Sequence, residues 1–318
     1  LLGFFALILL LATIGFTVEQ VLERSEARRY PPPGQLIDVD GVKLHLQITG
    51  QPGNGPTVIL ESGASGFSSQ WHHVQTAVAQ YTQVVAYDRM GLGWSEDSSQ
   101  PRDAVSTVQR LHAALAQAGI DGPYLLVGHS LGGFFIRVFA EQYPDEVVGM
   151  VMVDVAHPDQ DARFGPEMRK MKEDWTRMFQ VGTKLAPFGL TRLMPSLAAL
   201  LEGLPDRQIA ESVAISRKAS YMQAVYAEAM IWDVMAEQVR QTGNLGDMPL
   251  IVLSATEKLD LPGQREVWHG NHAELATLST RSEHQLVEGA DHFSIIMQPR
   301  TAQATIDAIA EIYTIATR

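Results

Sequence analysis

Gly128-His129-Ser130-Leu131-Gly132 sets a serine between two glycines in a G-x-S-x-G pattern. A serine hydroxyl is a poor nucleophile until the chain holds it on a sharp turn with a base in reach. The glycines suit such a turn, because side chains there would collide with the strand and helix that it joins. The turn also leaves the first backbone N–H groups of the next helix unpaired and facing the same spot. The flanks agree: Tyr124 to Val127 is an apolar run that reads as a buried strand, and Leu131 to Tyr143 has a helical pattern. This context predicts a nucleophile at Ser130 rather than a glycine-rich turn with a capping serine.

Other chemistries find less support. The chain has no cysteine, which removes disulfides, thiol catalysis and Cys-based metal sites. His269 and His272 are spaced like ligands on one helix face, but no companion carboxylate motif goes with them, so neither a metal nor a cofactor is expected. Asp88-Arg-Met-Gly91-Leu-Gly93 lacks the Lys-Ser/Thr of a phosphate loop and the glycine spacing of a dinucleotide fingerprint; it reads as a turn buttressing the active-site loop. A net charge of −12 without a Lys/Arg cluster argues against nucleic acid as a partner. Hydrophobic residues at 46% and charged ones at 19% imply a globular protein with a substantial core.

The elements that must position Ser130 follow from hydrophobic periodicity. Residues 36–48 read as two strands joined at Asp40-Gly41, a hairpin turn pair. Buried strands are expected at Thr57–Glu61 and Val147–Val153, further strands at Thr82–Tyr87, Pro249–Leu253 and His284–Glu288, and helices from about Ala104 to Ala118 and from Thr301 to Ala316. Alternating strands and helices imply a parallel sheet covered on both faces. Residues 157–246 interrupt the pattern with helical segments, seven of the twelve methionines, and aromatics such as Trp175, Phe179 and Trp232. Such side chains could line an adaptable apolar pocket, although most of them are expected to serve plain helix packing.

Leu1 to Val18 is apolar throughout, and a helical pattern runs on to Arg29. No Ala-x-Ala cleavage pattern follows, so a retained membrane anchor is expected over a cleaved signal. Tyr30-Pro-Pro-Pro-Gly34 would stop the helix and act as a stiff linker. The expected division is an anchor and spacer at 1–29, a linker at 30–34, core at 35–156, a helical cap at 157–246 and core again at 247–318.

The order of these pieces resembles the α/β-hydrolase fold over nearly all of residues 35–318. The Ser62-Gly63 loop with Trp71, Asp88-x-x-Gly91-x-Gly93-x-Ser95, Gly128-x-Ser130-x-Gly132 and Gly289-x-Asp-His292 carry the likeness. The chain looks like bacterial hydrolases with an N-terminal hydrophobic segment, which implies a catalytic domain outside the inner membrane. Ser62-Gly63 stands where the family usually has His-Gly; an oxyanion hole built from backbone amides survives that change. The resemblance makes Ser130 the nucleophile-elbow serine and His292 the base, in the chain order serine, acid, histidine. The ring of His129 is expected to pack away from the centre, and His157 is a weaker rival base that could line the pocket. Two positions compete for the acid: Asp154, at the end of the strand after the serine, and Asp260, after the following strand, with Glu257 third. Asp154 is preferred, by likeness to haloalkane dehalogenases. Leu131 and Ala64 N–H are the expected oxyanion donors, with help from the Ser62 or Ser65 hydroxyl a less common use of such residues.

The resemblance implies a carboxylesterase-like serine hydrolase acting on a small-molecule ester, with no cofactor. Aminopeptidases, thioesterases, lactonases and cofactor-free haloperoxidases share the apparatus, and a non-hydrolytic ligand-binding protein could keep the same fold. Dehalogenases and epoxide hydrolases of this fold attack with a carboxylate, where this chain has serine. Substrate identity and oligomeric state are not legible.

Overall fold

Asp40-Gly41 turns the chain back on itself: β1 (Gln35–Val39) and β2 (Val42–Thr49) pair antiparallel across it, as the turn pair predicts. A computed structural model describes residues 1–194 and 197–318 of the chain. Beyond the hairpin, the short apolar runs become β3 (Thr57–Glu61), β4 (Val84–Tyr87), β5 (Tyr124–His129), β6 (Val147–Val153), β7 (Leu250–Ala255) and β8 (Ser282–Val287). The sheet order is β1-β2-β4-β3-β5-β6-β7-β8. β2 meets β4 antiparallel, and from β4 to β8 every pairing is parallel. This is the α/β-hydrolase fold.

The crossovers between parallel strands are α2 (His72–Val78), α3 (Ala104–Gln117), α4 (Gly132–Gln142) and α10 (Gln264–Ala276), and α11 (Ser294–Met297) with α12 (Pro299–Ala316) packs on the sheet after β8. The central strands show why both faces are covered. On β5, Tyr124 and Leu126 join the core built with α3 and α4, while Leu125 and Val127 join the one built with α2 and α12. Period-two alternation of apolar residues with no polar face can be stable only when both sides are packed. Burying each such side chain contributes about 1.5–3 kcal/mol.

Between β6 and β7 the chain leaves the sheet. It forms α5 (Gln160–Arg163), α6 (Pro166–Leu185), α7 (Asp206–Ser216), α8 (Ala219–Met230) and α9 (Trp232–Arg240), with 3-10 turns at 186–193 and 197–201. Among the described residues of 157–246 there is no strand, only an isolated bridge at Gly246. Pro195 and Ser196, within the stretch read as helical, lie outside the described residues.

α1 (Leu2–Arg29) runs to the arginine pair as the pattern predicts, and it is long and apolar enough to cross a membrane. Proline and glycine then break the helix. The Tyr30–Gly34 stretch is tied down on both sides: Gly34 N–H donates to His45 Nε2 (3.0 Å), and Trp94 Nε1 donates to the Tyr30 carbonyl (2.9 Å).

Candidate active site

Parallel strands deliver their loops to one edge of a sheet, which is where ligands bind in such folds. Ser130 follows β5, Asp154 follows β6, His292 follows β8, and Ala64 follows β3. Ser130 has φ +53°, a left-handed conformation that is strained for a side-chain-bearing residue. Its neighbours make the turn possible. A Cβ on Gly132 would lie 2.4 Å from the Glu61 carbonyl oxygen, and one on Gly128 would lie 2.8 Å from the Gly132 backbone. Glycine at both positions is what allows α4 to begin directly against β3.

Ser130 Oγ lies 3.0 Å from His292 Nε2, and His292 Nδ1 lies 2.6 Å from Asp154 Oδ2. Asp154 is fully buried. Its other oxygen accepts from Ala255 N–H and from Trp268 Nε1–H, both at 2.8 Å. Burial alone would raise the Asp154 carboxyl, but the hydrogen bond and charge of His292, backed by the Ala255 amide, hold it well below the usual carboxylate range. An ionised Asp154 can only accept, so Nδ1 of His292 carries the proton and Nε2 is left to accept from Ser130. That is the tautomer a base needs. Asp260 is exposed, and Glu257, though it borders the cavity, is exposed as well. The structure therefore brings Asp154, not the alternative acid, to His292.

The other histidines divide differently from expectation. His129 does not turn away: its Nε2–H donates to the His292 carbonyl (2.6 Å), and the two ring centroids are 4.7 Å apart. The turn leaves it nowhere else to go, since its ring is wedged edge-on against buried Trp71. Burial and the neighbouring His292 hold its pKa down at about 3, so it is a neutral support. His157 is buried away from the cavity lining, where its Nδ1 accepts from Asp159 N–H. His269 and His272 face backbone carbonyls of Ala255 and Val155 instead of converging on a common point. His272 also accepts from Ser254 Oγ (2.6 Å), which in turn accepts from His284 Nε2 (2.7 Å).

Ala64 and Leu131 both border the cavity, and neither N–H has an acceptor among the described residues. The loop holding Ala64 is braced from behind. Arg89 donates to the carbonyls of Ser62 (2.7 Å) and Gly63 (2.8 Å), and to the carboxylates of Glu61 (2.7 Å) and Glu228 (2.7 Å). Asp88, next to it, accepts from the Ser68 and Trp94 amides and meets His45 Nδ1 at 2.8 Å. The Asp88-x-x-Gly91 turn thus buttresses the loop as its sequence suggests. The Ser62 hydroxyl accepts from Trp71 Nε1 (3.0 Å) and is turned to structure.

The cavity has a volume of about 510 Å³. Ser130 and His292 stand on one side, and α6, α8 and α9 supply Met168, Trp175, Phe179, Val225 and Trp232 on the other. Trp268 and the Arg89–Glu228 bond went unread in the sequence. Glu61, a charge closing an otherwise apolar strand, and Arg89, beside Asp88 at the end of the adjacent strand, were the available signals.

A sequence model of the alpha/beta hydrolase family matches residues 58–306. The uncharacterized protein YqjL of Bacillus subtilis (strain 168) is 26% identical over 245 residues, covering 77% of this chain and 79% of that protein. The chain spans about half the length of two further curated relatives that it matches. Among solved structures, an epoxide hydrolase of Bacillus megaterium superposes with a TM-score of 0.66 at 18% identity, covering 87% of this chain and 100% of that one. Est816, described as an N-acyl homoserine lactone degrading enzyme, does so with a TM-score of 0.61 at 18% identity, covering 86% and 99%. At such identities the structural likeness is one of fold.

Proposed function

The chain belongs to the alpha/beta hydrolase family, and on that footing we propose that it is a serine hydrolase cleaving carboxylic esters through an acyl-enzyme on Ser130. The observation that carries this reading is the relay Ser130 Oγ–His292 Nε2–Asp154, at 3.0 and 2.6 Å, on the wall of an apolar cavity.

In the proposed reaction His292 Nε2 takes the Ser130 proton as Oγ attacks the ester carbonyl carbon. The negative charge that develops on the carbonyl oxygen meets the free N–H groups of Leu131 and Ala64. Collapse of the tetrahedral species breaks the bond to the alkoxy oxygen, which leaves as the alcohol with the proton from His292. Water then gives a proton to His292 and attacks the acyl carbon. The carboxylic acid departs as Ser130 regains its proton. Asp154 stays ionised throughout and stabilises the imidazolium. No step calls for a cofactor.

The ester assignment rests on the nucleophile. A serine at this position suits acyl transfer, whereas the epoxide hydrolases that this fold resembles attack with a carboxylate. The fold of a lactone-degrading enzyme, whose substrate is a cyclic ester, is compatible with it. We read residues 157–246 as a cap over the site and α1 as a membrane anchor, with the hydrolase facing out of the cytoplasm.

Hydrolysis of p-nitrophenyl esters from C2 to C12 by the full chain, with Ser130→Ala beside it, tests the reading. Turnover that falls roughly 10⁴-fold or more in Ser130→Ala, together with fluorophosphonate labelling confined to Ser130, is the expected result. A folded chain that neither turns over any ester nor takes the label would sink it.

A further inference from the structure

α1 does not hang free of the hydrolase. The apolar stretch ends at Val18, and the next residue, Glu19, is only 1% exposed because it grips Arg192 in the 186–193 segment. Arg192 Nε and Nη2 donate to the two Glu19 oxygens at 2.6 and 2.9 Å, and Nη1 and Nη2 donate to Glu26 at 2.7 and 2.8 Å. Two forked carboxylates on one guanidinium fix angle as well as distance. One turn earlier, α1 closes onto the same segment, where a Cβ on Gly15 would lie 2.8 Å from the Phe188 carbonyl oxygen.

This contact sets a depth. Gly15 precedes Glu19 by four residues, so Phe188 meets α1 about 6 Å inside the apolar side of its polar boundary, at 1.5 Å per residue. Around that contact the insertion exposes apolar side chains: Phe188 at 40%, Leu190 at 44% and Leu193 at 82%. α1 is likewise exposed on its apolar half, with Leu9 at 68%. The two elements meet where Gly15 faces Phe188. Amphipathic faces that settle into a bilayer interface bury about 5–10 Å into it, which matches this depth. Leu200, in the next 3-10 turn, lines the Ser130 cavity and is itself 46% exposed, so a rim of the cavity belongs to the same stretch of chain.

We propose that the 186–193 face of the insertion rests in the lipid interface, seated there by the clamp of Arg192 on Glu19 and Glu26. The proposal rests on the reading of α1 as a membrane helix and extends it: the bilayer contacts the helical insertion as well as the anchor.

The chain has no cysteine, so single cysteines can be introduced into it cleanly. Spin labels at Leu10→Cys, Leu193→Cys and Glu283→Cys, with the protein in lipid nanodiscs, would be read by collision with oxygen and with a water-soluble nickel chelate. Leu10 and Leu193 are expected to favour oxygen, with nickel accessibility several-fold below that of exposed Glu283 on β8. Adding Arg192→Gln should return Leu193 to water while Leu10 stays in lipid; a Leu193 signal that does not move removes the clamp from the proposal. Leu193 as open to nickel as Glu283, with Leu10 in lipid, overturns the proposal and spares the anchor. Leu193 shielded from both reagents would mean that protein, such as a second copy, covers the face, and also overturns it. Leu10 in water would defeat the membrane reading itself.

Discussion

The choice of acid turns on three donors. Asp154 accepts from His292 with one oxygen and from Ala255 and Trp268 with the other, so its orientation is set from two sides. Asparagine there would place an amide of similar size, but one that cannot demand a proton on Nδ1. With Nδ1 free to lose its proton, Nε2 gains one and can no longer accept from Ser130. Asp154→Asn is therefore expected to lower kcat for a p-nitrophenyl ester by roughly 10⁴-fold with little change in KM. Asp260→Asn, altering an exposed loop carboxylate, should leave kcat within about twofold, as surface changes away from a site do. A loss confined to Asp260→Asn would remove Asp154 from the mechanism. The sequence left both acids open for a physical reason. Strand ends can be read from hydrophobic runs, but which loop carboxylate folds back onto His292 depends on backbone conformation, here φ +48° at Asp154. Trp268 gave no signal at all, because it sits 114 residues away on α10 and meets Asp154 only through the tertiary fold.

Elements were legible where a short-range pattern determines them. The β1–β2 turn, the β3 limits and the strand–turn–helix around Ser130 all follow from apolar runs and glycines. The joint between the insertion and the sheet does not, because its key residue pairs across 139 positions: Arg89 after β4 meets Glu228 on α8. Arg89 also bonds Glu61 at the end of β3 and the two carbonyls of the following loop, so one buried guanidinium ties α8, the sheet and the Ala64 loop together. Burial lifts the Glu61 carboxyl to about 7 even against the pull of Arg89, and the Tyr87 hydroxyl donates to it. Removing the cation would strand two carboxylates in the core. Arg89→Met should cost about 3–5 kcal/mol in denaturant unfolding, the range for breaking a buried pair from one side. Lys170→Met, which loses an exposed bond to Asp174, should leave the unfolding midpoint almost unchanged. Equal costs for the two would show that the Arg89 cluster does not join insertion to sheet.

Over the whole molecule the buried and half-buried histidines decide how the fold meets acid. Burial holds His72, His129, His157, His272 and His284 below the ordinary histidine value. A group whose pKa is depressed by folding is neutral in both states above its unfolded value, and its contribution is then complete. As pH falls below 6.5 the unfolded chain takes up protons that the native chain refuses, and stability drops until the native pKa is reached, about 3 for His129. Glu61 acts the other way. Its native pKa of about 7 against 4.5 means that the folded chain gains a proton first, which adds stability between those values as pH falls. Glu211, whose carboxyl burial also raises, joins Glu61, but the two do not offset five imidazoles, and Asp154 joins the losing side below 3.8, since its native pKa is depressed. The full chain in detergent micelles should therefore unfold at lower denaturant at pH 5.0 than at pH 7.5. His129→Gln should shrink that difference, because His129 alone accounts for on the order of 2 kcal/mol by pH 5. The slope with pH is the readout, so a variant that is less stable at both values still reports on it. A His129→Gln chain whose difference between pH 5.0 and 7.5 equals that of the wild type would mean that the His129 ring takes up a proton in place, and the neutral support assigned to it beneath His292 would have to be abandoned.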